Sequence, residues 1–169
     1  MPGTVSARAA TVEILSWLEQ VADPEIPVIS VVDLGVVRDV RWDADELVVA
    51  ITPTYSGCAA NTVIALDIES ELRRRGIDRL RLETRLAPPW TTDWISEKGR
   101  AALKAYGVAP PAENASPQLR RALGEALVIR CPRCDSADTR KISQFGSTPC
   151  KAQYQCRACL EPFDYFKCI

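Results

Sequence analysis

Apolar and polar positions alternate along the chain in two periods, and the changes of period divide it into elements. From about Arg8 to Ala22, Val12, Leu15, Leu18 and Val21 recur at helical spacing, with Glu13 and Glu19 elsewhere, which predicts an amphipathic helix. Asp23-Pro24-Glu25-Ile26-Pro27 ends it, because proline lacks a donor N–H and drives the residue before it out of the helical region. Val36 to Trp42 and Leu47 to Ile51 flank the turn Asp43-Ala44-Asp45 and predict a β-hairpin. The loop Thr52-Pro53-Thr54-Tyr55-Ser56-Gly57-Cys58 then leads into a helix of roughly Ala59 to Arg75. That helix buries Val63, Ile64, Ile68 and Leu72 and stops at Gly76. Arg79 to Leu86 alternates, with Leu80, Leu82 and Leu86 inward and charged residues between them, as in a half-buried strand. Thr91-Thr92-Asp93 offers caps for a last helix, about Asp93 to Tyr106, closed by Gly107.

The order α-β-β-α-β-α predicts a small α+β domain over residues 1–108. Residues 109–128 form a proline-containing linker with a short helix at Leu119 to Leu127, and residues 129–169 form a second domain. That last stretch is defined by cysteine rather than by periodicity. Cys131-Pro132-Arg133-Cys134 and Cys156-Arg157-Ala158-Cys159 are two C-x-x-C knuckles 21 residues apart. Two-residue spacing points both thiolates of a knuckle at one ion, and two knuckles complete a tetrahedron. The separation suits a β-hairpin arm, and Gln153-Tyr154-Gln155 and Phe163-Asp164-Tyr165-Phe166 read as its strands. The expectation is a zinc ribbon around one structural zinc ion, with metal binding supplying most of its folding free energy.

Composition alters this picture little. The chain has 169 residues, is 47% hydrophobic and 25% charged, and carries 21 Lys and Arg against 22 Asp and Glu. Such a balance gives no reason to expect nucleic acid or an acidic membrane as partner. From Arg130 onward seven basic residues face four acidic ones, about +3, which leaves the first 129 residues near −4. That is a mild pointer to a basic docking surface in the tail, beside the plainer reading of ordinary solvated charge. No leader-like apolar stretch opens the sequence and no apolar run approaches a membrane span, so a cytoplasmic, reducing setting is expected.

Histidine is absent, which excludes Ser-His-Asp and Cys-His catalysis, and there is no Gly-x-Gly-x-x-Gly or Walker A loop. An accessory protein is therefore a better expectation than an enzyme. Three cysteines stand outside the knuckles. Cys58, where a loop enters a helix, is either a small buried residue or a thiol placed where helix N-termini favour anions, suited to a soft metal or to nucleophilic chemistry. Cys150 and Cys168 are either packed thiols or additional ligands of a second, labile metal. Asp23 and Glu25 have the look of a carboxylate pair but also of turn residues, and Trp90 and Trp94 read as core.

Asp23-Pro24-Glu25, Val32-Asp33-Leu34-Gly35, Thr52 to Cys58, and Trp90-Thr91-Thr92-Asp93-Trp94-Ile95-Ser96 with Gly99-Arg100 occur in that order. Together they closely resemble the MIP18 (DUF59) family, whose members act in cytosolic iron–sulfur cluster assembly, over residues 8 to 108. The tail, through Ile142 to Ala152 and Pro162 to Cys168, is similar to the branch encoded with the bacterial ring-1,2-phenylacetyl-CoA epoxidase. The resemblance implies a maturation factor for the iron–sulfur reductase of that oxygenase, with the reductase and other epoxidase subunits as partners. It implies that Cys58 handles a transient iron–sulfur cluster or iron, with Asp23 and Glu25 in the same pocket. A homodimer sharing a cluster between two copies of Cys58 is compatible with it. The alternative is a structural or docking subunit with zinc alone.

Overall fold

The computed structural model describes residues 8–55, 57–111 and 128–167. Helix α1, Thr11–Leu18, buries Ile14 and Leu18 and is followed by buried Val21, a spacing of four and three. Val12, expected inward, is 78% exposed. The stretch carries apolar side chains on several sides, so spacing alone admits two faces, and packing against the second helix selects the one through Ile14.

Strands β1, Val37–Asp43, and β2, Glu46–Ile51, form the expected antiparallel hairpin. Helix α2, Ala60–Arg74, crosses back over Ala60, Ile64, Ile68 and Leu72 and ends at Gly76, whose φ is +88°. Its Val63 faces solvent. Strand β3, Leu80–Thr84, then pairs parallel to β2, making β2 the centre of a three-stranded sheet. Leu86 lies beyond the end of β3 and is exposed, because the pairing that would have turned it inward has already stopped.

Both faces of β2 are covered, by different means. Leu47, Val49 and Ile51 join the main core. Val48 and Ala50 point the other way and are fully buried all the same. Val48 is flanked by Arg41 and Arg81, and Ala50 by Asp39 and Glu83. These neighbours pair with one another across the strand: Arg41 reaches Asp39 and Glu83 at 2.8 Å each, and Arg81 reaches Glu83 at 2.8 Å. The aliphatic stems cover the small residues while the charged ends meet above them. Hydrogen bonding from Arg41, against desolvation and aided by Arg85 and Arg81, lowers the Glu83 carboxyl to about 2.

The loop before β1 and the segment before the third helix lock together. Trp90 Nε1 donates to the Leu34 carbonyl at 3.0 Å. Gly35 has φ +75°, and a Cβ there would stand 2.6 Å from the Trp94 carbonyl oxygen, so only glycine fits. Helix α3 is Glu97–Tyr106, starting four residues later than the sequence pattern indicates, after a short 3₁₀ turn at Thr92–Trp94. The cap is Ser96: its Oγ accepts from Gly99 N at 2.9 Å and donates to Asp33 Oδ1 at 2.6 Å. Thr91, Thr92 and Asp93 are equally good caps by type, but Ser96 has the tertiary partner. Trp90 and Trp94 therefore do not share a helix face. Trp90 is buried, whereas Trp94 lies half-covered under the Arg38 guanidinium, 3.6 Å from its centroid.

In the C-terminal part, β5 (Thr139–Ser143), β6 (Lys151–Cys156) and β7 (Pro162–Phe166) are antiparallel neighbours. The two-residue strand β4, Val108–Ala109, comes directly from α3 and pairs parallel to β7. The two halves consequently exchange residues. Ala109 sits in the small ribbon core with Ile129, Ala152, Phe163 and Tyr165, whereas Cys150 and Phe166 of the ribbon sit in the main core. The expected helix at Leu119 to Leu127 lies outside the described residues. No helix among them is long and apolar enough to cross a membrane.

Candidate functional site

Cys131, Cys134, Cys156 and Cys159 converge so that all four sulfurs lie within 4.8 Å of one another. Each knuckle closes on a residue with left-handed backbone, Asp135 (φ +61°) and Leu160 (φ +64°), which returns the chain after its second cysteine. Backbone N–H groups point at the sulfurs, as from Cys159 to Cys156 Sγ at 3.4 Å. That N–H, opposed by desolvation and helped by Ala158 N–H, lowers the Cys156 thiol to about 7.

The Cys131–Cys159 and Cys134–Cys156 sulfur separations are 3.7 and 3.5 Å. A tetrahedral zinc ion with sulfur bonds of about 2.3 Å requires edges of about 3.8 Å. Four sulfurs gathered within 4.8 Å of one another, two of their cysteines fully buried, fit one zinc ion, which would hold the two knuckles together and leave no ligand position open.

A second set of groups gathers where the ribbon meets the first domain. Cys58 lies two residues before α2, its N–H donating to the Tyr55 carbonyl at 3.1 Å, and is half-buried against the main core. Among the described residues no side chain caps α2, and its first turn holds no acid.

Asp23 is buried. Its Oδ1 accepts from Glu25 N at 2.8 Å and Ile26 N at 2.9 Å, which makes it the organiser of the turn after α1. Burial raises its carboxyl above the ordinary range, partly offset by these two donors. Cys150, carried in by the ribbon, is buried with Thr148 Oγ1 3.0 Å from its sulfur. Burial also raises its thiol; Thr148 opposes this, while the charges of Cys58 and Asp23 add to it and Lys151 works against them.

Thus the structure brings Cys58, Asp23 and Cys150 into one neighbourhood. Glu25 belongs to the same turn but points to solvent. Cys168 lies outside the described residues. Thr148 and the buried Lys151 were not singled out by sequence. Only their adjacency to Cys150 marks them, and the approach of that segment to the first domain is a tertiary event.

Asp33, Gly35, Trp90, Ser96 and Gly99 do not belong to this neighbourhood. They form the lock between loop and α3 described above, a structural role.

An αβ domain bearing a helix-entry cysteine and fused to a four-cysteine ribbon is the class that fold and sites define. Residues 11–76 match the model of the iron–sulfur cluster assembly protein family, and residues 115–167 match that of the PaaD zinc beta ribbon domain. A protein of Escherichia coli (strain K12) that bears the name of a 1,2-phenylacetyl-CoA epoxidase component is 43% identical over 162 residues, covering 93% of this chain and 92% of the relative. The crystal structure of a DUF59 domain from Bacillus anthracis is 28% identical, with a TM-score of 0.51 over 54% of this chain and 89% of that one. The chain belongs to the PaaD family, in which a MIP18 (DUF59) domain is joined to a zinc ribbon.

Proposed function

We propose that the protein is an accessory factor in phenylacetate breakdown that matures or repairs the iron–sulfur reductase serving the phenylacetyl-CoA epoxidase. It handles iron or a cluster transiently at Cys58 and works in the cytoplasm beside the epoxidase subunits. The observation that carries this reading is the placement of Cys58: a half-buried thiol two residues before α2, packed against the main core, in a domain that matches an iron–sulfur assembly family. The four-cysteine site is closed and structural, so it is not the handling site. The E. coli relative supplies the pathway through its name.

The test is the cluster content of the reductase. Purified from cells lacking this protein, or carrying only Cys58→Ser, the reductase is expected to contain less iron and acid-labile sulfide than from wild-type cells. A reductase fully loaded in both backgrounds would refute the reading.

One observation favours a second reading, a docking subunit with zinc alone. The turn between β5 and β6 holds Phe145 64% exposed, with Lys167 Nζ 4.4 Å from its ring centroid, and Ile142 is exposed nearby in sequence. If docking is the whole function, Cys58→Ser leaves the epoxidase system intact while Phe145→Ala weakens its assembly.

A further inference from the structure

We infer that the turn between β5 and β6 docks an acidic segment of a partner protein, with carboxylates meeting Lys141 and Lys167 and an apolar side chain resting on Phe145 and Ile142. This deepens the docking reading above and rests on it only for which partner supplies the segment. The surface itself follows from charge and geometry.

The ribbon's excess of positive charge is not spread evenly. From residue 130 onward all four acidic residues are engaged: Asp135 by Arg130 and Lys104, Glu161 by Arg133, Asp138 by Arg157, and Asp164 by Lys151. The three cations that remain, Arg140, Lys141 and Lys167, have no acidic partner among the described residues. Arg140 and Lys141 are consecutive on β5, the outer strand of its sheet, and Lys167 directly follows β7.

Two of the three converge. Lys141 Nζ donates to Gln144 Oε1 at 2.9 Å and Lys167 Nζ to the Gln144 carbonyl at 3.0 Å, so one exposed residue holds two ammonium groups with its two oxygens. These neutral acceptors orient the charges without cancelling them. One acid does approach the turn: Asp164 Oδ1 stands 3.2 Å from where a Cβ on Gly146 would lie, but that carboxylate is engaged by Lys151.

Apolar surface lies beside the charge. Phe145 is 64% exposed and Ile142 53%, and neither belongs to a core cluster. Phe145 is nevertheless fixed. Its N–H donates to Ser143 Oγ at 3.2 Å, Ser143 Oγ donates to its carbonyl at 2.7 Å, and Gly146 N closes the turn on the Lys151 carbonyl at 2.8 Å. Lys167 Nζ sits 4.4 Å from the ring centroid. An aromatic held in place loses little ordering entropy on binding, which suits it to anchor an interface.

Unmatched cations beside an apolar anchor select an acidic occupant, since complementary potentials speed encounter and suppress wrong partners. A second copy of this chain is disfavoured, because Arg140 and Lys141 would meet their own equivalents along the β5 edge. The net charge of −1 opposes nucleic acid.

The experiment uses the full zinc-loaded chain and a short, end-capped, fluorescein-labelled peptide of glutamate with interspersed leucine, followed by anisotropy. The peptide is expected to bind, less tightly as salt rises. Phe145→Ala and Lys141→Glu should each weaken it about fivefold or more, the loss that marks a contributing interface residue. Arg73→Glu, the same change of charge on an exposed residue of α2, should leave it unaltered. One retained zinc per chain and an unchanged melting transition check the fold of every variant.

No binding, equal binding of the same peptide with glutamine for glutamate, or binding that survives both turn substitutions would overturn the proposal. Tighter binding of an oligouridylate at the same residues would overturn it in favour of nucleic acid. If the peptide binds at the turn but the purified epoxidase subunits and reductase do not, the surface stands and the pathway reading falls. If those proteins bind equally well to wild type, Phe145→Ala and Lys141→Glu, the surface falls and the pathway reading stands.

Discussion

The rings of Trp90 and Phe166 meet edge-on, their centroids 6.0 Å apart and their planes at 63°. One belongs to the lock between the β1 loop and α3, the other ends the last strand of the ribbon, and both are buried. The contact makes the ribbon part of the first domain's core. Phe166→Ala is therefore expected to lower stability by about 3–5 kcal/mol, as for loss of a buried aromatic. In denaturant titration the loss should appear in the first domain's signal as well as the ribbon's.

Zinc removal tests the same coupling from the other side. All four tryptophans, Trp17, Trp42, Trp90 and Trp94, lie before residue 95, and the ribbon has none. A strong chelator should unfold the ribbon. Tryptophan emission is expected to change with it, because Phe166 and Cys150 then leave the main core. Unchanged emission and an unchanged melting transition of the first domain would show the halves to be independent.

Two glycines with similar backbones give a controlled comparison. Gly35 and Gly76 have φ of +75° and +88°, so alanine strains both, by about 1–2 kcal/mol. Nothing lies within 4 Å of a Cβ at Gly76, whereas at Gly35 it meets Trp94 backbone at 2.6 Å. Gly35→Ala should thus cost clearly more than Gly76→Ala in thermal or chemical unfolding, the difference reporting the lock against Trp94.

Asp23 and Asp33 are expected to act in opposite directions with pH. The Asp23 carboxyl is raised in the fold, so its favourable contribution is full below about 3.9 and is lost as pH climbs through the raised value. Asp23→Asn, whose amide oxygen can still accept from Glu25 N and Ile26 N, should be more stable than wild type at neutral pH.

Asp33 is lowered. Burial opposes its ionisation, but hydrogen bonds from Ser96, Ser30 and Lys98 together outweigh it. Its contribution is present above about 3.9 and is lost as pH falls through the lowered value. Asp33→Ala should cost about 1–3 kcal/mol at pH 7 and progressively less in acid, measured by unfolding free energy across pH.

The convergence of the four ribbon cysteines was legible in the sequence, because zinc–thiolate chemistry restricts spacing so tightly that two C-x-x-C pairs admit few other readings. The order of elements in the first domain was legible too, since each is amphipathic over enough residues to show its period. What failed was local choice among equivalents. Val12 and Ile14 are both apolar, and only packing against α2 decides between them. Thr91, Asp93 and Ser96 can all cap a helix, and only the reach of Asp33 picks Ser96. The entry of Cys150 into the first domain's core left no trace in periodicity. It depends on β4 pairing parallel to β7 across a sequence separation of 56 residues between Val108 and Asp164.

That two-residue strand has a consequence for how such chains are assembled. Val108 lies in the main core and Ala109 in the ribbon's, so the peptide joining them is shared property of both halves. A ribbon borrowed from another protein could not simply be appended here. It would need a partner for β4, an aromatic to meet Trp90, and a residue at the place of Cys150 that the first domain can accept. The ribbon and its receiving surface form one inheritable unit, exchangeable together and mismatched when separated.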